Sequence, residues 1–295
     1  MTSTLYIVAT PIGNLGDMTA RAIQILSSVE RIYAEDTRNS QGLLTHFGIK
    51  SALSSLHEHN ESARIDKILA ELEQGLDVAL ISDAGTPLIS DPGYRLVKAV
   101  SAAGYRVAPI PGASALIAAL SVAGLPSDRF VFEGFLPAKP AARRVALENL
   151  KQEQRTLIFY ESSHRIAALL DDVLMVLGGE REISLARELT KLYEQVYRGS
   201  CAALREQMLN DTYMQKGEFV VMLAGAEARS TATSVSLEHE TLLKVLLEEG
   251  LPIKQLARIA ARLTGLPKNH LYRQAMSLSA LDSAGGSSKS DADSA

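Results

Sequence analysis

The chain is poor in cysteine: Cys201 stands alone among 295 residues. A single thiol excludes an internal disulfide and any zinc site built on cysteines. No apolar run approaches the roughly 20 residues that a membrane span needs. The N-terminus, MTSTLYIVATP, has no basic segment ahead of its first apolar run, so a secretion signal is not expected. Positive charge is not in excess either. Lys and Arg number 30 against 34 Asp and Glu, a net charge of −4. A nucleic-acid partner would therefore need a local basic patch. No His, Asp and Glu have the spacing of metal ligands, so no obligatory metal is expected. What remains is an ordinary globular composition, 46% apolar and 22% charged, expected in the cytoplasm and away from membranes.

Two phosphate-binding signatures are also missing. VATPIGNLGD (8–17) joins a strand-like run to a helix-like one, the usual place for a phosphate loop, yet it holds neither G-x-G-x-x-G nor G-K-S. Pro11 sits where a phosphate nest would want a backbone N–H, and proline has none.

Short β-rich runs alternate with helical ones through residue 225. The strand candidates are LYIVAT (5–10), RIYAED (31–36), DVALISD (77–83), RVAPIP (106–111), RFVFEGF (129–135), RTLIFYE (155–161), EISLARE (182–188) and EFVVMLAG (218–225). Amphipathic stretches such as ESARIDKILAELEQG separate them. This alternation predicts an α/β fold with largely parallel sheet. Three loops rich in small residues follow strands: TPIGNLGD, DAGTPLISDPG (83–93) and PGASALIAAL (111–120). Loops at the carboxyl ends of strands line the crevice of an open sheet, and glycine lets a ligand approach the backbone. Each alone could be a tight βα turn. Together they suit a nucleoside ligand without phosphates better than a dinucleotide, and S-adenosyl-L-methionine is such a ligand.

In this order, LYIVATPIGNLGD, AEDTR, ISDAGTPLISDPG, PGASA, LIFYESSHR, ARELTKLYE and GEFVVMLAG resemble the tetrapyrrole (corrin/porphyrin) methylase superfamily, and within it the branch that acts on ribosomal RNA. The resemblance covers about residues 4–225. Corrin methylases carry a glycine-richer first loop and a G-D-P motif in the second, where this chain reads TPIGN and AGTPLISDPG. The resemblance implies two α/β domains with S-adenosylmethionine in the cleft between them, and a homodimer. It implies 2′-O-methylation of a cytidine ribose in the 16S rRNA of the small ribosomal subunit. The alternative is a methyltransferase of the same fold acting on a corrin or porphyrin precursor. Carried over by motif, the cofactor residues are Pro11, Ile12, Asp83, Thr86, Pro87, Ile89, Ser114 and Ala115. Tyr160, Ala186 and Arg187 would close the cleft from the second domain.

A ribose hydroxyl is a poor nucleophile, so a general base is expected to help. The polar candidates near the presumed cleft are Asp36, Asp91, Glu161, His164, Arg165, Glu188 and Lys191. Glu161 is the first choice as base, with Arg165 four residues on as its orienting partner or as an RNA phosphate ligand. A structural ion pair between a strand end and a helix start explains the same two residues. Two segments are locally basic. LPAKPAARR (136–144) offers Lys139, Arg143 and Arg144, as RNA ligands or as a solvated linker. Residues 252–273 hold Lys254, Arg258, Arg262, Lys268 and Arg273 and no acidic residue. Their helix–turn–helix pattern, turning at Gly265 with Pro267 opening the second helix, suits RNA phosphates or a small packing bundle.

The expected organisation is an N-terminal α/β domain over 1–123 and a second α/β domain over 124–228. A linker over 229–236, a helix-turn-helix-like all-α domain over 237–281 and a disordered tail over 282–295 follow.

Overall fold

The computed structural model describes residues 3–57, 60–227 and 231–285, with the backbone alone for 231–238 and 280–285. The chain divides into two compact units, 1–226 and 227–295.

The first unit holds two five-stranded sheets. Sheet one is built from β1 (Thr4–Val8), β2 (Arg31–Ala34), β3 (Ala52–Ser55), β4 (Val78–Ile81) and β5 (Arg106–Ile110), in the order β3-β2-β4-β1-β5. Every pair in it is parallel. Parallel strands need crossovers, and α1 (Ala20–Ser28), α2 (Thr37–His46), α3 (Glu61–Glu73) and α4 (Tyr94–Ala102) supply them. VALI of β4 is apolar without alternation because both faces of the sheet are covered. Ala79 and Ile81 pack with Leu26 and Leu44 on one face, and Val78 and Leu80 pack with Ile68 and Leu96 on the other.

Sheet two follows the helix α5 (Ala115–Ala123). It comprises β6 (Phe130–Phe135), β7 (Thr156–Ser162), β8 (Glu182–Arg187), β9 (Gln195–Ser200) and β10 (Glu218–Leu223), in the order β6-β7-β10-β8-β9. Only β6 and β7 run parallel, and the other three pairs are antiparallel. The expectation of largely parallel sheet therefore holds for the first sheet and not for the second. The turn from Arg187 to Gln195 is too short for a crossover, so β9 folds back on β8, and β10, reached from β9 through a helix, lies antiparallel to both its neighbours. The helices α6 (Pro140–Leu150), α7 (Ile166–Leu177) and α8 (Cys201–Asn210) cover one face. The other face receives α5, whose Leu116, Ala119, Leu120 and Ala123 pack on Ile158, Ala186, Val220 and Met222. ALIAALSVA is apolar almost all round, yet it buries only this one face, and Ile117 and Val122 stay exposed on the other.

The eight strands expected from sequence are all present, and β3 and β9 join them. Both are edge strands, largely exposed or half-buried, so neither ALSS nor QVYRGS shows an apolar run.

The second unit contains α9 (Thr231–Glu248), α10 (Ile253–Thr264) and α11 (Lys268–Gly285). Leu243, Leu256, Ala260, Leu271 and Ala275 form its core. The pairs 256/260 and 271/275 are one helical turn apart, which fixes the buried stripe of each helix. Gly265 ends α10 at φ 76°, the left-handed cap that glycine adopts without strain. Of the linker expected at 229–236, residues 229–230 lie outside the described residues and the backbone is helical from Thr231. Of the tail expected at 282–295, residues 286–295 lie outside them and α11 runs to Gly285. Among the described residues no helix is long and apolar enough to cross a membrane.

Candidate functional site

Strand order positions the site. β1 and β4 are neighbours, yet β1 connects towards β2 on one side and β4 towards β5 on the other. Such a reversal opens a crevice at the carboxyl ends of the two strands. Parallel pairing of β4, β1 and β5 also brings the three small-residue loops to one edge. The loops are bonded to each other there. Thr10 N–H donates to Gly85 O (2.9 Å) and Gly85 N–H to Thr10 O (3.0 Å), while the Thr86 hydroxyl donates to Ala113 O (3.0 Å).

A cavity of about 320 Å³ lies where these loops face sheet two. Ile12, Gly85, Thr86, Ile89, Ser114 and Ala115 line it from the first sheet, with Asp91 beside them. From the second come Phe135, Tyr160, Glu161, Ala186, Lys191 and Glu218. Phe132 and Phe135 meet Tyr160 edge to face, with centroids 4.9 and 5.6 Å away. Ser114 begins α5 without a side-chain cap, so N–H groups of its first turn point to the cavity end of the helix. Backbone strain gathers here. Leu88 and Ser90 of the second loop, and Glu188 and Thr190 after β8, all have positive φ without being glycine. Side chains adopt that region at a cost, and such residues concentrate at functional sites.

The structure places most of the expected cofactor residues on the cavity wall: Ile12, Thr86, Ile89, Ser114, Ala115, Tyr160 and Ala186. It does not bring the other four there. Pro11 precedes the wall residue Ile12, and Pro87 is buried within the second loop. Asp83 accepts from Asp36 N–H (3.1 Å) and Asn39 Nδ2 (3.0 Å), and so ties the AEDTR turn to the second loop. The Arg187 side chain turns away from the cavity and donates to the carbonyls of Lys216 and Tyr193. Asp36 itself caps α2, accepting from Arg38 N–H at 2.8 Å. His164 is exposed outside the cavity.

Glu161 and Arg165 do come together, Oε1 to Nε at 3.1 Å. Ser162 N–H donates to the same oxygen at 2.8 Å, while Oε2 is buried with no hydrogen-bond partner. Burial raises the Glu161 pKa, against the Ser162 amide and the Arg165 charge. Burial also lifts Asp91, to about 6, with Glu35 and Asp83 adding to it. Burial and Asp83 raise Glu35 as well. The cavity therefore has hard-to-ionise carboxyls on both walls. Lys191 is the cation among the lining residues, and Glu188 (3.0 Å) and Glu218 (2.8 Å) already hold it. Among the described residues no group of His, Cys, Asp and Glu could hold a metal.

Sequence reasoning missed Phe135, Glu218, Phe219 and Val220 on the wall. The signal was the mixed character of β6 and β10, whose pairing could not be read before their order in the sheet was known.

The tetrapyrrole (corrin/porphyrin) methylase family model matches residues 4–205. The chain belongs to this family. A second model, the RsmI C-terminal HTH domain, matches residues 233–279. Ribosomal RNA small subunit methyltransferase I of Xylella fastidiosa is 54% identical over 91% of this chain and 97% of its own. The enzyme of that name from Pseudomonas aeruginosa is 52% identical over 92% and 96%. Among solved structures, diphthine synthase matches 75% of this chain and 89% of its own at a TM-score of 0.57 and 14% identity. Uroporphyrin-III-C-methyltransferase of Thermus thermophilus covers 75% and 94% at 0.52 and 19%. At those identities the structures show a shared fold. The corrin or porphyrin precursor considered above finds no support in the near relatives, which match almost end to end as ribosomal RNA enzymes.

The basic segments divide. Arg143 is buried, with Nε 2.6 Å from Asp172 Oδ2, and Arg144 also meets Asp172 at 2.9 Å. Arg143 is thus a structural ion pair and has no face to present to RNA, a correction to its expected role. Lys139 and Arg144 keep exposure. In α10 and α11, Lys254, Arg258, Arg262, Lys268 and Arg273 are all exposed, and none pairs with a described carboxylate.

Proposed function

We propose that this chain uses S-adenosyl-L-methionine to methylate the ribose 2′-hydroxyl of a cytidine in small-subunit (16S) ribosomal RNA. The observation that carries the reading is the near end-to-end identity with enzymes named for small-subunit ribosomal RNA methylation. The cavity supports the cofactor. A Cβ at Gly85 would stand 3.3 Å from Ile12, so the glycine keeps a cradle open. The first turn of α5 offers amides to a carboxylate, and the lining lacks a free cation for phosphate. Ile12, Thr86, Ile89, Ser114 and Ala115 would hold the nucleoside, and Tyr160 with Phe135 would face the sulfonium, which aromatic rings attract. Bound there, S-adenosylmethionine supplies an electrophilic methyl group.

The chain's own work is to orient the hydroxyl and take its proton. Orientation alone lowers a barrier by roughly 7–11 kcal/mol, and a placed base adds about 10²–10⁴-fold. Glu161 is our base by motif: Ser162 and Arg165 hold one oxygen, and Oε2, buried without a partner on the sheet face that Glu161 shares with Arg187, would have to swing into the cleft to take the proton. The exposed cations of α10 and α11, with Lys139 and Arg144, would meet RNA phosphates. A cytoplasmic setting, suited to a ribosomal substrate, and a homodimer, which rests on the family resemblance, belong to the same reading.

The test is transfer of labelled methyl to small subunits from a strain lacking this gene, read by nuclease digestion and mass spectrometry. One 2′-O-methylcytidine gained per subunit is the expected result. No transfer to subunits or their extracted RNA would overturn the reading. Replacing Arg258 and Arg262 by Glu should weaken subunit binding and flatten its log–log salt dependence by about 2, one for each lost phosphate contact.

A further inference from the structure

A second hollow, of about 630 Å³, opens on the far side of the turn 187–195. That turn has two faces. Leu189 and Lys191 line the cleft described above, while Arg187, Glu188, Tyr193 and Gln195 line the hollow. The opposite wall comes from the segment before β10, with Asp211, Tyr213 and Lys216.

The hollow is built rather than accidental. Arg187 is 8% exposed, and its guanidinium joins the two walls by donating to Lys216 O on one and to Tyr193 O (3.3 Å) on the other. Asp211 Oδ1 accepts from Tyr213 N–H at 2.9 Å, and Lys216 Nζ lies 4.5 Å from the Tyr213 ring centroid. Glu194 Oε2 accepts from Thr190 N–H at 2.5 Å. On these braced walls stand large apolar groups in water. Tyr193 is 67% exposed, Tyr213 69% and the adjoining Leu192 87%.

Charge narrows the occupant. Glu188 is already paired with Lys191, and Glu194 and Asp211 balance Arg187 and Lys216, so the lining offers phosphate no excess of positive charge. The second oxygens of Glu194 and Asp211 have no partner among the described residues and can accept from an exocyclic amine. Exposed rings with edge acceptors suit an unstacked nucleobase, which stacks on aromatics whatever its sequence. The hollow adjoins the cleft through one strained turn, with Glu188 at φ 51° and Thr190 at φ 65°, so a base held there would flank a nucleotide in the cleft.

We propose that the hollow holds an unstacked base of the RNA substrate that flanks the methylated nucleotide, between Tyr193 and Tyr213. This rests on the RNA reading above. It goes beyond that reading by assigning base contacts to a surface outside both the cofactor cleft and the basic helices.

The test uses the full chain and small subunits lacking the methyl group. Tyr193→Ala and Tyr213→Ala should each raise KM for subunits by about 5- to 150-fold, the range that alanine at a base-stacking aromatic spans. Calorimetric affinity for S-adenosylmethionine and the thermal midpoint should stay put, because both rings lie outside the cleft and the core. Tyr→Phe at either position should restore most of the loss, since stacking needs the ring and not the hydroxyl. Unchanged KM in both alanine variants would overturn the proposal while leaving the function standing. A KM rise accompanied by a change of oligomeric state in sedimentation would also overturn it and assign the surface to a second copy of this chain. A wild-type protein that methylates no subunit RNA would remove both readings, and the wild-type control alone identifies that case.

Discussion

The two walls of the cleft are made of different materials. The wall from the parallel sheet is backbone and small side chains: Gly85, Thr86, Ser114 and Ala115, locked by the reciprocal Thr10–Gly85 hydrogen bonds. The wall from the mixed sheet is rings and charges: Phe135, Tyr160, Glu161, Lys191 and Glu218. A parallel sheet ends in adjacent βα loops, which present amides and leave room. In the mixed sheet Tyr160, Ala186 and Val220 share the face turned to α5 and the cleft, while their neighbours Glu161, Arg187 and Phe219 turn to the helix-covered face, and Glu161 reaches the cavity only at the end of its strand. The difference divides the labour. The first wall is suited to shape and hold a ligand, and the second to act on it.

Glu161→Gln tests the second wall most severely. The change keeps size and the Ser162 contact but removes the proton acceptor. We expect kcat to fall by about 10²–10⁴-fold with calorimetric affinity for S-adenosylmethionine unchanged. A thermal midpoint shifted with little change in kcat would return Glu161 and Arg165 to a structural ion pair.

Gly85→Val tests the first wall. Gly85 has φ +81°, and a Cβ there would crowd Ile12 at 3.3 Å. A β-branched residue is strained at that φ and its Cβ is tight against Ile12, so cofactor affinity should drop by more than the fall in thermal midpoint explains. At saturating cofactor kcat should move less than in Glu161→Gln. Equal cofactor affinity in mutant and parent would show that the first wall does not hold the ligand. Gly112 is unsuited to the same test, although its loop resembles the others. A Cβ there would lie 2.9 Å from Ala9 Cβ and push on the end of β1, so its loss would report on folding.

Much of this was legible from sequence, for reasons visible in the walls themselves. Wall one was readable because backbone loops announce themselves through Gly, Pro and small residues after apolar strands. Wall two was readable only through motifs such as LIFYES, since side chains facing a cleft from a sheet look like any half-buried strand. Charged residues were hardest. Arg143 and Arg258 sit in equally basic stretches, yet one is buried against Asp172, 29 positions away, and the other is exposed. Local sequence carries no sign of the distant carboxylate. Arg187 failed likewise: it follows Ala186 on β8, and strand alternation sends its side chain to the opposite face. The second sheet's mixed pairing was hidden because antiparallel order depends on β9, an exposed edge strand with no apolar signal.

Asp91 is a half-buried carboxyl on the wall otherwise free of charge. Its pKa is raised to about 6, first by burial and then by Glu35 and Asp83, from an ordinary value of 3.8. Between about pH 4 and 6 the folded chain therefore holds a proton that the unfolded chain has released. Stability must fall as pH rises through that window and level off above it, because there the unfolded state binds fewer protons than the native one. Asp91→Asn cannot ionise. It should flatten this part of the profile and raise the thermal midpoint at pH 7–8 by less than about 4 °C, roughly what 1 kcal/mol is worth at this size. Melts of both proteins from pH 4 to 8 decide it. Parallel profiles would mean that Asp91 ionises freely in the cleft, and that the ligand-shaping wall carries working charge after all.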